Sequence, residues 1–178
     1  MNKLVQKKLS IFFIYFLSAS TVYSIEVPKI DNLILHKESI KLTNDIKFTD
    51  KTGRTVNLSK FKNKLIVINF WATWCSPCKE EMPSLDNLQA DNSFKNLVIL
   101  PINIGKDSIK KSEKFYNSVG IKNLKLFFDK TNDLANFFLL RGIPTSILIN
   151  KDGLEFARVV GSIDFQDKKL VEWLRYYD

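Results

Sequence analysis

The sequence predicts an α/β fold, a mixed central sheet with helices on both faces, and three observations carry that expectation. Two nearly continuous apolar runs, at 65–70 and 97–103, read as strands buried on both sides. Segments of helical spacing alternate with them, at 79–89 and 108–119, as strand–helix units require. The chain then closes on a hairpin across Lys151-Asp152-Gly153 and a terminal helix. With 178 residues, 45% of them apolar and fourteen of them Phe, there is material for one core and no case for disorder.

The first 24 residues stand apart. Lys3, Lys7 and Lys8 form a basic head, an apolar run follows at 9–17, and no acid appears before Glu26. Val22 and Ser24 stand at the spacing a signal peptidase accepts, which predicts a signal peptide cleaved after Ser24. The run falls short of the roughly 20 residues that span a bilayer. If it is retained, it anchors the protein to the inner membrane through residues 9–23. Both outcomes place the rest of the chain in the periplasm or another extracytoplasmic space. Residues 25–44 carry little pattern and read as an N-terminal extension, so the folded domain is expected at 45–178.

Within that domain the elements follow in order. Lys47-Phe48-Thr49, the turn Asp50-Lys51-Thr52-Gly53 and the alternation from Arg54 to Leu58 make a β-hairpin. Ser59 is placed to cap a short turn through Phe61. After the strand at 65–70, the helix at 79–89 puts Met82, Leu85 and Leu88 on one face, and Pro83, which has no N–H, is expected to kink it. The strand at 97–103 and the helix at 108–119, stopped by Gly120, form a further strand–helix unit. A short strand at 126–128 precedes a helix from 132 to 140. Strands at 145–149 and 156–160 pair as the closing hairpin, and 165–176 is the last helix.

Composition narrows the chemistry. The net charge of +8 falls to +5 once the three leader lysines are removed, and the remaining basic residues are mixed with acids, as in Lys79-Glu80-Glu81. No basic stripe interleaved with aromatics is present, so no nucleic-acid partner is expected. Cys75, Cys78 and His36 supply three ligands where a structural zinc needs four, so no metal and no other cofactor is expected. One close cysteine pair cannot staple a fold.

What remains is Trp74-Cys75-Ser76-Pro77-Cys78, where a buried strand meets a helix N-terminus. Unpaired N–H groups and the positive helix end there stabilise a Cys75 thiolate, the attacking species in disulfide exchange. Cys78, three residues on, shares its helix face and can close a disulfide with it, while Pro77 stiffens the first turn. A purely structural disulfide over so short a gap gains little. Covalent haem needs a His where Lys79 stands, and a peroxidase of this kind would want Thr or Ser where Ala72 stands. Copper(I) held between two thiolates stays open. The pair reads first as a redox couple, with Cys75 an exposed nucleophile and Cys78 a sheltered resolving thiol.

The run Phe70-Trp71-Ala72-Thr73-Trp74-Cys75-Ser76-Pro77-Cys78-Lys79-Glu80-Glu81-Met82-Pro83 resembles the active-site segment of the TlpA/ResA group of thioredoxin-like thiol–disulfide oxidoreductases. Gly142-Ile143-Pro144-Thr145, followed by Ile147-Leu148-Ile149-Asn150-Lys151-Asp152-Gly153, resembles that group's second signature. The hairpin turn at 50–54 and the unit at 97–120 also fit its pattern, and the resemblance spans residues 45–178. It implies a thioredoxin-like fold with an added N-terminal β-hairpin and an inserted strand–helix unit. It further implies an exported enzyme that reduces disulfides in extracytoplasmic partner proteins, including those of cytochrome or respiratory-complex assembly. Such an enzyme needs a membrane thiol–disulfide electron donor.

The resemblance also implies a cis bond before Pro144 beside the cysteines, with Trp74, Pro77, Ile143 and Pro144 binding substrate. Asn69 holds the strand position where thioredoxin itself has a buried carboxylate. Glu81, three residues after Cys78 and matching the group's acid, is expected to shuttle the Cys78 proton. A disulfide oxidase or isomerase with electrons flowing the other way, and a copper(I)-binding module, are the alternatives.

Overall fold

β-branched and aromatic residues dominate the segments that become strands, and polar Asp, Asn and Gly residues occupy the turns between them. The computed structural model describes residues 26–42 and 45–178; the expected signal peptide at 1–24 lies outside them. In chain order the elements are β1 (Leu33–Lys41), β2 (Lys47–Asp50), β3 (Thr55–Asn57), a 3-10 turn (Leu58–Phe61), β4 (Leu65–Trp71), α1 (Ser76–Gln89), β5 (Leu97–Asn103), α2 (Ile109–Val119), β6 (Phe127–Phe128), α3 (Asp133–Phe137), β7 (Thr145–Ile149), β8 (Leu154–Val160) and α4 (Lys168–Arg175). They form one sheet in the order β1-β8-β7-β4-β5-β6-β2-β3. β4, β5 and β6 run parallel and the other pairings are antiparallel.

Every residue of β4 is buried, as its unbroken apolar run predicts. The period of two divides it between two cores. Leu65, Val67 and Trp71 pack with α1, α2 and α4, while Ile66, Ile68 and Phe70 pack with the β2–β3 hairpin and α3. Asn69 alternates onto the first of these faces, beneath α1. Trp71 stacks on Tyr116 of α2, with ring centroids 5.4 Å apart, and lies 4.9 Å from Phe115, which fixes α2 over the end of β4.

Several elements depart from the sequence expectation. β1 lies inside the segment read as a patternless extension. It pairs with β8 at the sheet edge, and its register shifts between Leu35 and Ile40. A mostly exposed, irregular edge strand leaves no alternation to read. The strand also carries His36, whose Nε2 lies 2.8 Å from the fully buried Glu155, itself bound by the Arg158 guanidinium. The lone histidine is thus committed to the sheet edge, three strands away from β4. Asn57 rather than Ser59 caps the 3-10 turn, because its Oδ1 accepts the Ser59 N–H at 2.8 Å. α1 starts at Ser76 and continues through Pro83 to Gln89, so the proline removes one donor without ending the helix. α4 starts at Lys168, after the Asp167 cap, and Phe165 before it is buried in a connecting segment.

α3 ends at Phe137 instead of reaching 140. Leu139 N–H donates to Asn136 C=O and Leu140 N–H to Ala135 C=O, the paired bonds of a Schellman motif. Leu139 therefore occupies the left-handed position, at φ 51°, and the residue is 79% exposed. An L-residue there costs about 1–2 kcal/mol, and glycine returns part of that gain as chain entropy. Leu139→Gly is expected to raise stability by roughly 0.5–1 kcal/mol, read as a higher midpoint in urea denaturation. An unchanged or lowered midpoint would show that the leucine packs in a way its exposure does not suggest.

Candidate active site

The site forms where β4 hands over to α1. The Trp71 C=O still accepts the Ile104 N–H at 3.0 Å, and Ala72-Thr73-Trp74 then turn the chain into the helix. Cys75 caps α1: its Sγ accepts the Cys78 N–H at 3.2 Å, and its C=O accepts the Lys79 N–H at 3.2 Å. A sulfur in the capping position faces the unpaired donors and positive end of a helix, an environment that favours thiolate over thiol. Cys75 and Cys78 are joined in a disulfide with their Cα atoms 5.3 Å apart.

Cys75 is 5% exposed and Cys78 1%. The expected contrast between an exposed and a sheltered cysteine is therefore small in the oxidised pair. The exposed rim is made instead by Trp74, 66% accessible, with Ser76 and Pro77.

β7 pairs with β4 so that Thr145 lies opposite Phe70, which brings the preceding loop to the same end of the sheet as the cysteines. The Ile143–Pro144 bond is cis, as the resemblance implied. Pro144 is buried, and its C=O accepts the Gly161 N–H at 2.9 Å. Half-buried Ile143 packs against the cluster that holds both cysteines. Among the described residues no hydrogen bond engages the backbone N–H or C=O of Ile143.

A small buried polar group joins α1 to β4 and β7, three residues on from Cys78. Glu81 falls on the inward stripe of α1 with Cys78, Met82, Leu85 and Leu88, and is 3% exposed. Its Oε1 accepts Asn69 Nδ2 at 2.7 Å and its Oε2 accepts the Ile163 N–H at 3.0 Å. The same Asn69 amide donates to Ser146 Oγ at 2.9 Å. Burial pushes the Glu81 carboxyl up to about 7, against the downward pull of the Ile163 and Asn69 donors. A carboxyl poised there can hold or release a proton at neutral pH.

The structure thus gathers Trp74, Cys75, Pro77, Cys78, Glu81, Ile143 and Pro144 at one end of the sheet. Sequence reasoning did not anticipate Ser146, Ile163 or Thr73. It also missed Asp107, whose carboxylate accepts the Thr73 N–H at 2.9 Å and the Thr73 hydroxyl at 2.7 Å. These contacts span 34 to 82 residues of chain, and nothing in local spacing announces them.

The profile of the AhpC/TSA family matches residues 41–154. The chain belongs to that family. Within it, the thiol–disulfide oxidoreductase ResA of Bacillus subtilis (strain 168) is 31% identical over 130 residues, 71% of this chain and 72% of that protein. Among solved structures, a Chlorobium tepidum protein described as thiol:disulfide interchange protein DsbE superposes with a TM-score of 0.65 at 25% identity, over 77% of this chain and 98% of its own. The exposed lipoprotein thioredoxin Etrx1 of Streptococcus pneumoniae strain TIGR4 gives 0.63 at 25% identity, over 74% and 98%. The fold is thioredoxin-like. The protein is a thiol–disulfide oxidoreductase of the ResA/DsbE type, and Cys75–Cys78 is its CxxC pair.

Proposed function

We propose that this oxidoreductase works outside the cytoplasm as a reductase of disulfides in partner proteins. The observation that carries the direction is the uncharged Ser76-Pro77 first turn: the Cys75 sulfur receives one backbone N–H and the helix end, with no cation between the cysteines. Strong oxidants of this chemistry over-stabilise the reduced form; moderate stabilisation leaves the couple reducing.

The Cys75 thiolate attacks one sulfur of a partner disulfide, forming a mixed disulfide and expelling the partner's first thiolate. Cys78, losing its proton to Glu81, then attacks the Cys75 sulfur. The Cys75–Cys78 disulfide forms, the partner's second thiolate leaves and takes up a proton, and two electrons have passed to the partner. The rim of Trp74 and Pro77 receives the partner, and an extended segment pairs with the free backbone groups of Ile143, which buried Pro144 holds in place through the cis bond.

Export rests on the basic, apolar leader at 1–24, and the naming of Etrx1 as an exposed lipoprotein supports it. Where the leader is retained, residues 9–23 hold the protein at the membrane. Oxidising surroundings demand a membrane thiol–disulfide donor to restore the dithiol. The TlpA/ResA resemblance makes proteins of cytochrome and respiratory-complex assembly the substrate class. Equilibration of the Cys75–Cys78 couple with glutathione and dithiothreitol buffers tests the direction. A potential near roughly −270 mV is expected; a value near roughly −120 mV would make the protein an oxidase instead.

A further inference from the structure

The loop carrying the cysteines is held from outside the motif. Asp107 stands just ahead of α2, its side chain 2% exposed, and its two oxygens accept four bonds. Two come from Thr73, as described. The others come from Asn103 Nδ2 at 3.0 Å and Lys111 Nζ at 2.7 Å. Burial alone would raise this carboxyl, but Lys111, the Thr73 N–H, the Asn103 amide and the Thr73 hydroxyl outweigh it and hold the pKa at about 2.

The turn between Asn103 and Asp107 is pressed against the same loop. Asn103 Oδ1 accepts the Gly105 N–H at 3.0 Å. A Cβ on Gly105 would lie 2.6 Å from the Ala72 Cβ, 2.8 Å from Asp107 Oδ2 and 3.0 Å from Trp74 Nε1, so Ala72, the Asp107 carboxylate and the Trp74 indole all close on bare backbone. Trp74 is nevertheless 66% exposed. The Nε1 edge of its ring is seated on Gly105 while the residue, next to Cys75 in the chain, stays largely open to solvent.

We propose that Asp107 is a positioning residue: by clamping Thr73 while the Gly105 turn seats the indole, it fixes Trp74 as a rigid contact for protein disulfides. The inference rests on the reading of Trp74 as part of the partner surface. An aromatic anchor held in one orientation needs little ordering on docking, so its gain appears with macromolecular partners. A small disulfide reaches the Cys75 sulfur without it.

The test compares single-step exchange of the fully reduced protein with insulin and with 5,5′-dithiobis(2-nitrobenzoate). This step exists whichever way electrons flow in the cell, so a potential that overturned the reductase reading would leave this comparison intact. In Asp107→Ala the rate constant with insulin is expected to fall roughly tenfold, while that with the small disulfide stays within about twofold. Gly105→Ala should give the same split, because the added Cβ presses on Ala72, on the Asp107 carboxylate and on the indole together. Thr73→Val, which keeps the Thr73 N–H bond, should give a smaller one. If Asp107→Ala does not fold, the Gly105 and Thr73 variants carry the comparison. A parallel fall with both probes, or unchanged insulin exchange in folded variants, overturns the proposal.

Discussion

Cys75→Ser is expected to reduce thiol–disulfide exchange to the uncatalysed background, whereas Cys78→Ser is expected to capture partner proteins as mixed disulfides through Cys75. The loss in Cys75→Ser is chemical rather than structural, because serine is among the best capping residues and its Oγ can take over the Cys78 N–H bond that the Cys75 sulfur now accepts. In Cys78→Ser the first exchange proceeds, but no second thiolate exists to release the partner, so the covalent adduct accumulates. Cys78 is 1% exposed, and a hydroxyl in its place costs about 1–3 kcal/mol unless it finds a partner. The variant is therefore expected to melt earlier than wild type while keeping its reactivity. The measurement is non-reducing electrophoresis with mass identification of adducts after incubation with a disulfide-bearing protein. Adducts formed by Cys75→Ser and not by Cys78→Ser would reverse the two roles.

The cysteine pair was legible because its meaning is local. A strand buried on both faces, a helix start and a three-residue gap all lie within one short stretch of chain. Glu81 was legible because it stands three residues after Cys78 on one helical face and matches the acid of the TlpA/ResA motif; Asp86, equally buried on α1, matched nothing and passed unread. Asn69 could be placed by counting along β4, where the period of two turns it towards α1. The cis bond before Pro144 followed from the resemblance; the bare sequence allowed an ordinary proline at a strand start equally well.

What the sequence withheld are contacts between segments far apart in the chain. The Ile163 N–H reaches Glu81 across 82 residues, and a backbone donor has no residue type to betray it. Ser146 looks like any strand serine until β7 pairs with β4 and sets it opposite Asn69. Asp107 reads as a solvated acid ahead of a helix, because the Thr73 groups it binds belong to another strand's loop. β1 escaped for the opposite reason: its role is clear only once β8 is in place to pair with it. Element ends moved where a cap competed, as at Cys75 and Asp167, since one side-chain acceptor decides which residue starts the helix.

Glu81→Gln is expected to slow release of the mixed disulfide by roughly 10- to 100-fold above neutral pH and to leave alkylation of Cys75 nearly unchanged. The sign follows from the carboxyl at about 7. Below that pH Glu81 is protonated and cannot accept the Cys78 proton, so wild type and variant converge. Above it the carboxylate is available and wild type pulls ahead. The loss stays moderate because water reaching the Cys78 thiol can take its proton in place of the carboxylate. Asn69→Asp in the Glu81→Gln background should restore part of the rate, since that position lies on the α1 face of β4 and now bonds Glu81 directly. Stability provides a second readout with its own sign. The unfolded chain ionises Glu81 near its ordinary 4.5 while the native oxidised protein holds the proton to about 7, so stability falls as pH rises between these values and levels off above them. The full span is about 3 kcal/mol for a carboxyl this buried, and Glu81→Gln should remove that slope. Single-turnover release from pH 5 to 9, with denaturation over the same range, measures both. Superimposable rate profiles and slopes for wild type and Glu81→Gln would reduce Glu81 to a packing residue.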